Sequence, residues 1–86
     1  MYSIQWQRKA RKQVAKITDK LTRIDIAEAV DTLSDLPTAK NVKALTNHQY
    51  GYRLKVGNYN RVLFDVENDI QIIDIQEVKK RNDNTD

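Results

Sequence analysis

Eighty-six residues allow one small domain and leave no room for a cofactor domain beside a substrate domain. With 40% hydrophobic residues, 31% charged residues and a mean hydropathy of -0.74, the chain is apolar enough to fold. It has no apolar run long enough to span a membrane and no secretion-signal pattern, so the expected compartment is the cytoplasm. The absence of cysteine excludes a disulfide framework, a thiolate metal site and a thiol nucleophile, and one histidine, His48, excludes a His-rich zinc site and any two-histidine mechanism.

Residues 2–7 alternate Tyr2, Ile4 and Trp6 against polar residues, the pattern of a half-buried first strand. From Arg8 the period lengthens: Ala10, Val14, Ile17 and Leu21 recur at helical spacing, with Arg8, Lys9, Arg11, Lys12 and Lys16 on the other faces. Asp19 or Thr22 caps a second helix bearing Ile26, Val30 and Leu33, which Ser34-Asp35-Leu36-Pro37 ends, and the two helices are expected to form a hairpin. The polar connection 38–49 holds one apolar turn, Val42-Lys43-Ala44-Leu45, docking as a short helix or an anchored loop.

Three β-rich runs follow, 50–56, 61–66 and 70–75, divided by Gly57-Asn58 and Glu67-Asn68-Asp69. The order predicts an α+β domain with two N-terminal helices packed on a mostly antiparallel four-stranded sheet. A single domain over 1–86 is expected, with 79–86 as a basic tail that frays.

The net charge is only +3, but the signs are segregated. Residues 1–23 carry seven bases and one acid, 24–36 four acids, 37–61 five bases, 62–78 five acids, and Lys79-Lys80-Arg81 closes the pattern. Clustered cations are the footprint of a phosphate-backbone binder, although a basic helix face is most often just its solvated side.

Strand register sharpens this reading. Leu54 and Val56 must share a face with Val62 and Phe64, which requires the three-residue loop 57–59 and sets Lys55 directly across from Arg61, with Arg53 on the same outward face. Like charges directly opposite on a sheet are destabilising, so folding alone does not favour the arrangement. A two-residue Asn68-Asp69 turn would pair Phe64 with Ile73 and Val62 with Ile75, bringing Gln76, Val78 and Lys80 to the cationic face.

The runs Asn41-Val42-Lys43-Ala44-Leu45, Tyr52-Arg53-Leu54-Lys55-Val56-Gly57-Asn58-Tyr59, Arg61-Val62-Leu63-Phe64-Asp65-Val66 and Ile75-Gln76-Glu77-Val78-Lys79-Lys80-Arg81 resemble the RelE/ParE superfamily of bacterial type II toxins, and the RelE branch more closely. The resemblance implies a metal-independent, cofactor-free endoribonuclease that cuts messenger RNA on the ribosome and is held inactive by a cognate antitoxin protein. Its partners would be that antitoxin, mRNA and ribosomal RNA, with no membrane and no small-molecule cofactor.

In that chemistry the 2′-hydroxyl attacks the adjacent phosphate, charge builds on the phosphorane, and the 5′-oxygen leaves with a proton. The resemblance gives Lys55, Arg61 and Lys80 as catalytic and Arg53, Lys79 and Arg81 as RNA-binding. A nearby like charge favours a neutral amine, making Lys55 the candidate base. Arg61 would stabilise the developing charge, and Lys80 or Arg81 supply the basic residue near the C-terminus.

Two departures from the family pattern stand out: Asp86 lies where many members carry an aromatic residue, and Asn60 lengthens the hairpin. The alternatives are a ParE-like inhibitor of DNA gyrase, or a catalytically inactive homologue that binds antitoxin. Outside the cluster, His48 reads as an ordinary loop residue, Trp6 as core, and Tyr50 and Tyr59 as flanking aromatics.

Overall fold

The structure is a computed structural model that describes residues 1–81; Asp83 and Asp86 lie outside the described residues. Strand β1 (Ser3–Trp6) leads into α1 (Arg8–Ala15) and α2 (Lys20–Asp31), which runs on into a 3₁₀ segment (Thr32–Thr38). Then come β2 (Val42–Ala44), β3 (Tyr52–Val56), β4 (Asn60–Glu67) and β5 (Ile72–Lys80). The sheet has five strands in the order β1-β5-β4-β3-β2, with β1 parallel to β5 and the other pairs antiparallel. No helix among the described residues is long and apolar enough to cross a membrane.

The expected α+β layering is present, but the four-stranded sheet is corrected to five strands in a mixed sheet. The addition is β2, expected as a short helix or loop. Three residues are too few for periodicity to separate helix from strand. What makes them a strand is β3, whose free edge they complete through the pairs Val42–Leu54, Lys43–Arg53 and Ala44–Tyr52. Asn41, at φ 66°, turns the chain into that pairing, and its carbonyl accepts the Lys55 N–H at 2.9 Å.

The helices lie on one face of the sheet. Asp19 is the residue that precedes α2, as expected, and its carboxylate accepts the Thr22 hydroxyl at 2.6 Å. On that face α1 packs chiefly on β5 and α2 on β3 and β4. The intervening turn takes Leu21 out of the first stripe, leaving it 69% exposed. Ala10, Ile26, Val30 and Leu33 meet Leu54, Val56, Val62, Phe64, Ile73, Ile75 and Val78 in one apolar layer, and the Tyr52 and Phe64 rings stack across strands at 5.4 Å. Trp6 packs half-buried at its margin.

The β3–β4 hairpin has the expected register: Tyr52 faces Phe64, Leu54 faces Val62 and Lys55 faces Arg61, around a three-residue loop in which Gly57 takes φ 62°. That left-handed angle suits glycine, which has no Cβ to clash.

The β4–β5 hairpin differs twice. Its turn is four residues long (68–71), with Gln71 at φ 53°, so Ile70 is exposed and Phe64 pairs with Ile75 instead of Ile73. Beyond Ile75 a β-bulge inserts Gln76, so Leu63 pairs with Glu77 and Val62 with Val78. Val78 thereby enters the core, a correction to its expected place on the cationic face. The strand also continues through Lys80, so the expected tail cannot begin at Lys79.

Beyond the end of β1, α1 covers the exposed edge of β5. The Gln13 Oε1 accepts the Val78 N–H at 2.6 Å and so satisfies an edge donor that has no strand partner. Replacing Gln13 by Ala leaves that buried N–H unpaired and is expected to cost about 1–2 kcal/mol. Urea denaturation should show a lower midpoint at unchanged slope; an unchanged midpoint would mean that the bond contributes nothing.

Candidate nucleic-acid interface

The sheet face away from the helices is built from alternate residues of β3, β4 and β5. Its first row is Lys55, Arg61 and Lys79, directly across from one another on three neighbouring strands, about 5 Å apart from strand to strand. The next row is Lys43, Arg53, Leu63 and Glu77. Beyond it come Asp65 and Asp74, also directly opposed, with Glu67 at the far end of β4.

Three cations in register across a sheet oppose folding, yet the central one is the least exposed. Arg61 is only 2% exposed, and its guanidinium donates to the Asn60 carbonyl at 3.0 Å. A guanidinium held this way is pre-aimed, with little rotamer freedom left to lose when an anion arrives. Lys79 is half-buried and Lys55 exposed.

Leu63 is fully buried although it lies outside the helix-side cluster. Its cross-strand neighbours are Arg53 and Glu77, and its burial means that long side chains close over it, stems down. The Arg53 Nε is buried with no hydrogen-bond partner among the described residues. Glu77, the carboxylate nearest along β5, is engaged by Lys9 of α1 at 3.6 Å.

Asp65 and Asp74 are engaged by other groups. Asp65 accepts the Gly51 N–H at 2.7 Å and the Gln76 amide at 3.3 Å, while Asp74 accepts from Gln7 at 3.0 Å. Four residues separate Asp65 from Arg61 along β4, about 13 Å. The face is therefore bipolar, with a cationic end at the β3–β4 loop and an acidic end at the β4–β5 turn.

Of the six residues expected at the site, the structure brings Lys55, Arg61 and Lys79 into one row and Arg53 into the next. It does not bring Lys80 there. The bulge at Gln76 reverses the alternation of β5, so Lys80 pairs with Asn60 and sits with it on the helix side of the sheet. Lys79, expected as an RNA contact, takes the place in the row that Lys80 was expected to fill. Arg81 follows the strand and donates its N–H to the Tyr59 carbonyl at 2.6 Å.

Sequence reasoning missed the bulge and, with it, the positions of Glu77 and Lys79. The signal was present in Ile73, Ile75 and Val78, where the apolar spacing changes from two to three, as an extra residue requires. His48 is a loop residue whose Nδ1 accepts the Tyr50 N–H at 3.1 Å, consistent with its ordinary reading.

No family model matches the chain, and none of the curated proteins matches it. Solved structures do match over nearly its whole length. The toxin-antitoxin complex RelBE2 of Mycobacterium tuberculosis contains a chain similar at TM-score 0.77 and 19% identity, over 93% of this chain and 98% of that one. The archaeal RelE-RelB complex of Pyrococcus horikoshii matches at TM-score 0.77 and 23% identity, over 95% and 97%. The isolated RelE toxin of E. coli matches at TM-score 0.76 and 16% identity, over 96% and 89%. The fold of this chain is the RelE toxin fold.

The acidic end has its own pH signature. A hydrogen bond to Asp74, the charge of Asp74, desolvation and the charge of Asp65 together raise the Glu67 carboxyl above its ordinary value. The folded chain thus holds this proton at pH values where the unfolded chain has released it, and the contribution to stability falls as pH rises through the raised value. Glu67→Gln is expected to unfold at a higher temperature than the parent at pH 7, with the gap closing as pH falls through the raised value and gone below 4.5. Thermal melts of both proteins across that range would show it, and a pH-independent gap would exclude the linkage.

Proposed function

We propose that the protein is the toxin of a type II toxin-antitoxin module and that it cleaves messenger RNA on the ribosome. The observation that carries the reading is the row Lys55, Arg61 and Lys79, an arrangement that opposes folding and suits a single phosphate, within a RelE toxin fold. Arg61 is the electrostatic centre, positioned where negative charge grows on the phosphorane. Lys55 takes the proton of the 2′-hydroxyl as that oxygen attacks. Lys79 gives a proton to the departing 5′-oxygen, leaving a 2′,3′-cyclic phosphate and a 5′-hydroxyl. Arg53, with its unpartnered Nε, holds a neighbouring phosphate, and Arg81 contacts the RNA where it leaves the strand end.

Solved relatives in fold are toxin-antitoxin complexes, which supports a cognate antitoxin as the protein partner here. Ribosomal RNA and mRNA are the proposed nucleic-acid partners, the cytoplasm the proposed compartment, and no metal or cofactor enters the chemistry. Asp86, at the place of the family aromatic, lies outside the described residues, and no step is assigned to it.

The test is primer extension on a reporter messenger after brief induction in translating cells, comparing the parent with Lys55→Ala/Arg61→Ala. Discrete new 5′ ends are expected in the parent and a loss of about 100-fold or more in the variant, the scale seen when a preorganised charge-stabilising group is removed. Growth arrest without new ends would sink the reading in favour of another target such as gyrase. The absence of arrest would identify an inactive homologue that binds antitoxin.

A further inference from the structure

Strand β5 ends in cations on both sides. Lys79 faces the open row, and Lys80, one Cα step of about 3.8 Å further on, lies on the helix side with Asn60. There it borders a cavity of about 630 Å³ between the α1–α2 turn and the tip of the β3–β4 hairpin, whose walls include Lys16, Asp19, Tyr59, Asn60, Lys80 and Arg81. The volume lies within the roughly 300–1,000 Å³ range of small-ligand sites.

Three features define what this cavity suits. Lys16 and Lys80 have no ion-pair partner among the described residues, and with Arg81 they place three cations around one space. Tyr59 is 71% exposed at its rim, an aromatic face open to a planar partner. Asp19 also borders the cavity, on the α1–α2 turn that carries Lys16, its carboxyl held below the ordinary value chiefly by the Thr22 hydroxyl. It therefore keeps its charge and would keep a phosphate off its own carboxylate, on the lysines. Phosphate on cations beside a base on an exposed ring is the way single strands are gripped. An acidic peptide would satisfy the cations and leave the ring unused.

We infer that this cavity is a second nucleotide subsite, in which an RNA strand whose scissile phosphate lies on the Lys55-Arg61-Lys79 row passes over the end of β5 and is held again by Lys16, Lys80 and Tyr59. The inference rests on the ribonuclease reading. It extends that reading from one phosphate to a strand bound on both faces of the sheet. Long RNA then binds through both faces and a trinucleotide through the open face alone.

The experiment uses the full chain carrying Lys55→Ala, so that RNA is not cut, with fluorescently labelled oligoribonucleotides of 3 and 12 nucleotides. Binding is followed by anisotropy from 50 to 200 mM salt. Adding Lys16→Ala/Lys80→Ala is expected to weaken the 12-mer about tenfold and to lower its salt slope by about 1.4, two contacts at 0.7 each, with the trinucleotide unchanged. Tyr59→Ala should weaken the 12-mer by about fivefold or more, and a Tyr59→Trp chain should be quenched by the 12-mer only.

Loss of 12-mer binding on Arg61→Ala but not on Lys16→Ala/Lys80→Ala would overturn the second subsite and leave the ribonuclease reading standing. Equal loss for both lengths would also overturn it. An acidic peptide that quenches Tyr59→Trp where the 12-mer does not would assign the cavity to protein instead. No RNA binding at all, or binding indifferent to Arg61→Ala, would overturn the second subsite, and the primer-extension result with Lys55→Ala/Arg61→Ala decides the ribonuclease reading separately.

Discussion

Arg61, Val62, Leu63 and Phe64 are successive residues of β4, and all four are buried. In a strand, neighbours point to opposite faces, so this central strand is covered on both sides, by helices on one and by its own long polar neighbours on the other. Val62 and Phe64 are the reason for its register: each is locked beneath α2, and a slip of one residue would drive Arg61 and Leu63 into the apolar layer. With that register held, Arg61 has no freedom to choose its neighbours. Lys55 and Lys79 fall beside it because Val56, Leu54 and Val78 must fall inside.

The cationic row therefore exists against its own electrostatics. Apolar burial on one face pays for like charges on the other, at about 25 cal/mol per Å² of apolar surface removed from water. Asp65 stands about 13 Å from Arg61 along β4, Asp65 and Asp74 are occupied with Gly51, Gln7 and Gln76, and Glu77 engages Lys9. Segregation of charge along the chain thus becomes segregation across a face.

Much of this was legible beforehand. The β3–β4 register followed from apolar alternation alone, because Leu54, Val56, Val62 and Phe64 admit only a loop of three residues, and Lys55 opposite Arg61 followed from that. The helical pair, Asp19 before α2 and the core positions Ile26, Val30 and Leu33 were readable from spacing and capping chemistry. Strand β2 was not, since three residues carry no usable period. The β4–β5 pairing was not either, because Asn68-Asp69 looked like a complete two-residue turn and Ile70 like the start of a strand.

What the sequence determined by itself was everything that depends on near neighbours: helix faces, turn residues, alternation and the blocks of charge. Tertiary structure alone decided which side of the sheet Lys79 and Lys80 occupy. That choice rests on the bulge at Gln76, which lets Ile75 and Val78 both enter a core assembled from distant segments. Local alternation favours Ile75, Glu77 and Lys79 on one face. Burying Val78 beneath α1, with its N–H satisfied by Gln13, outweighs the disrupted ladder, and the two lysines part to opposite faces as the physical consequence.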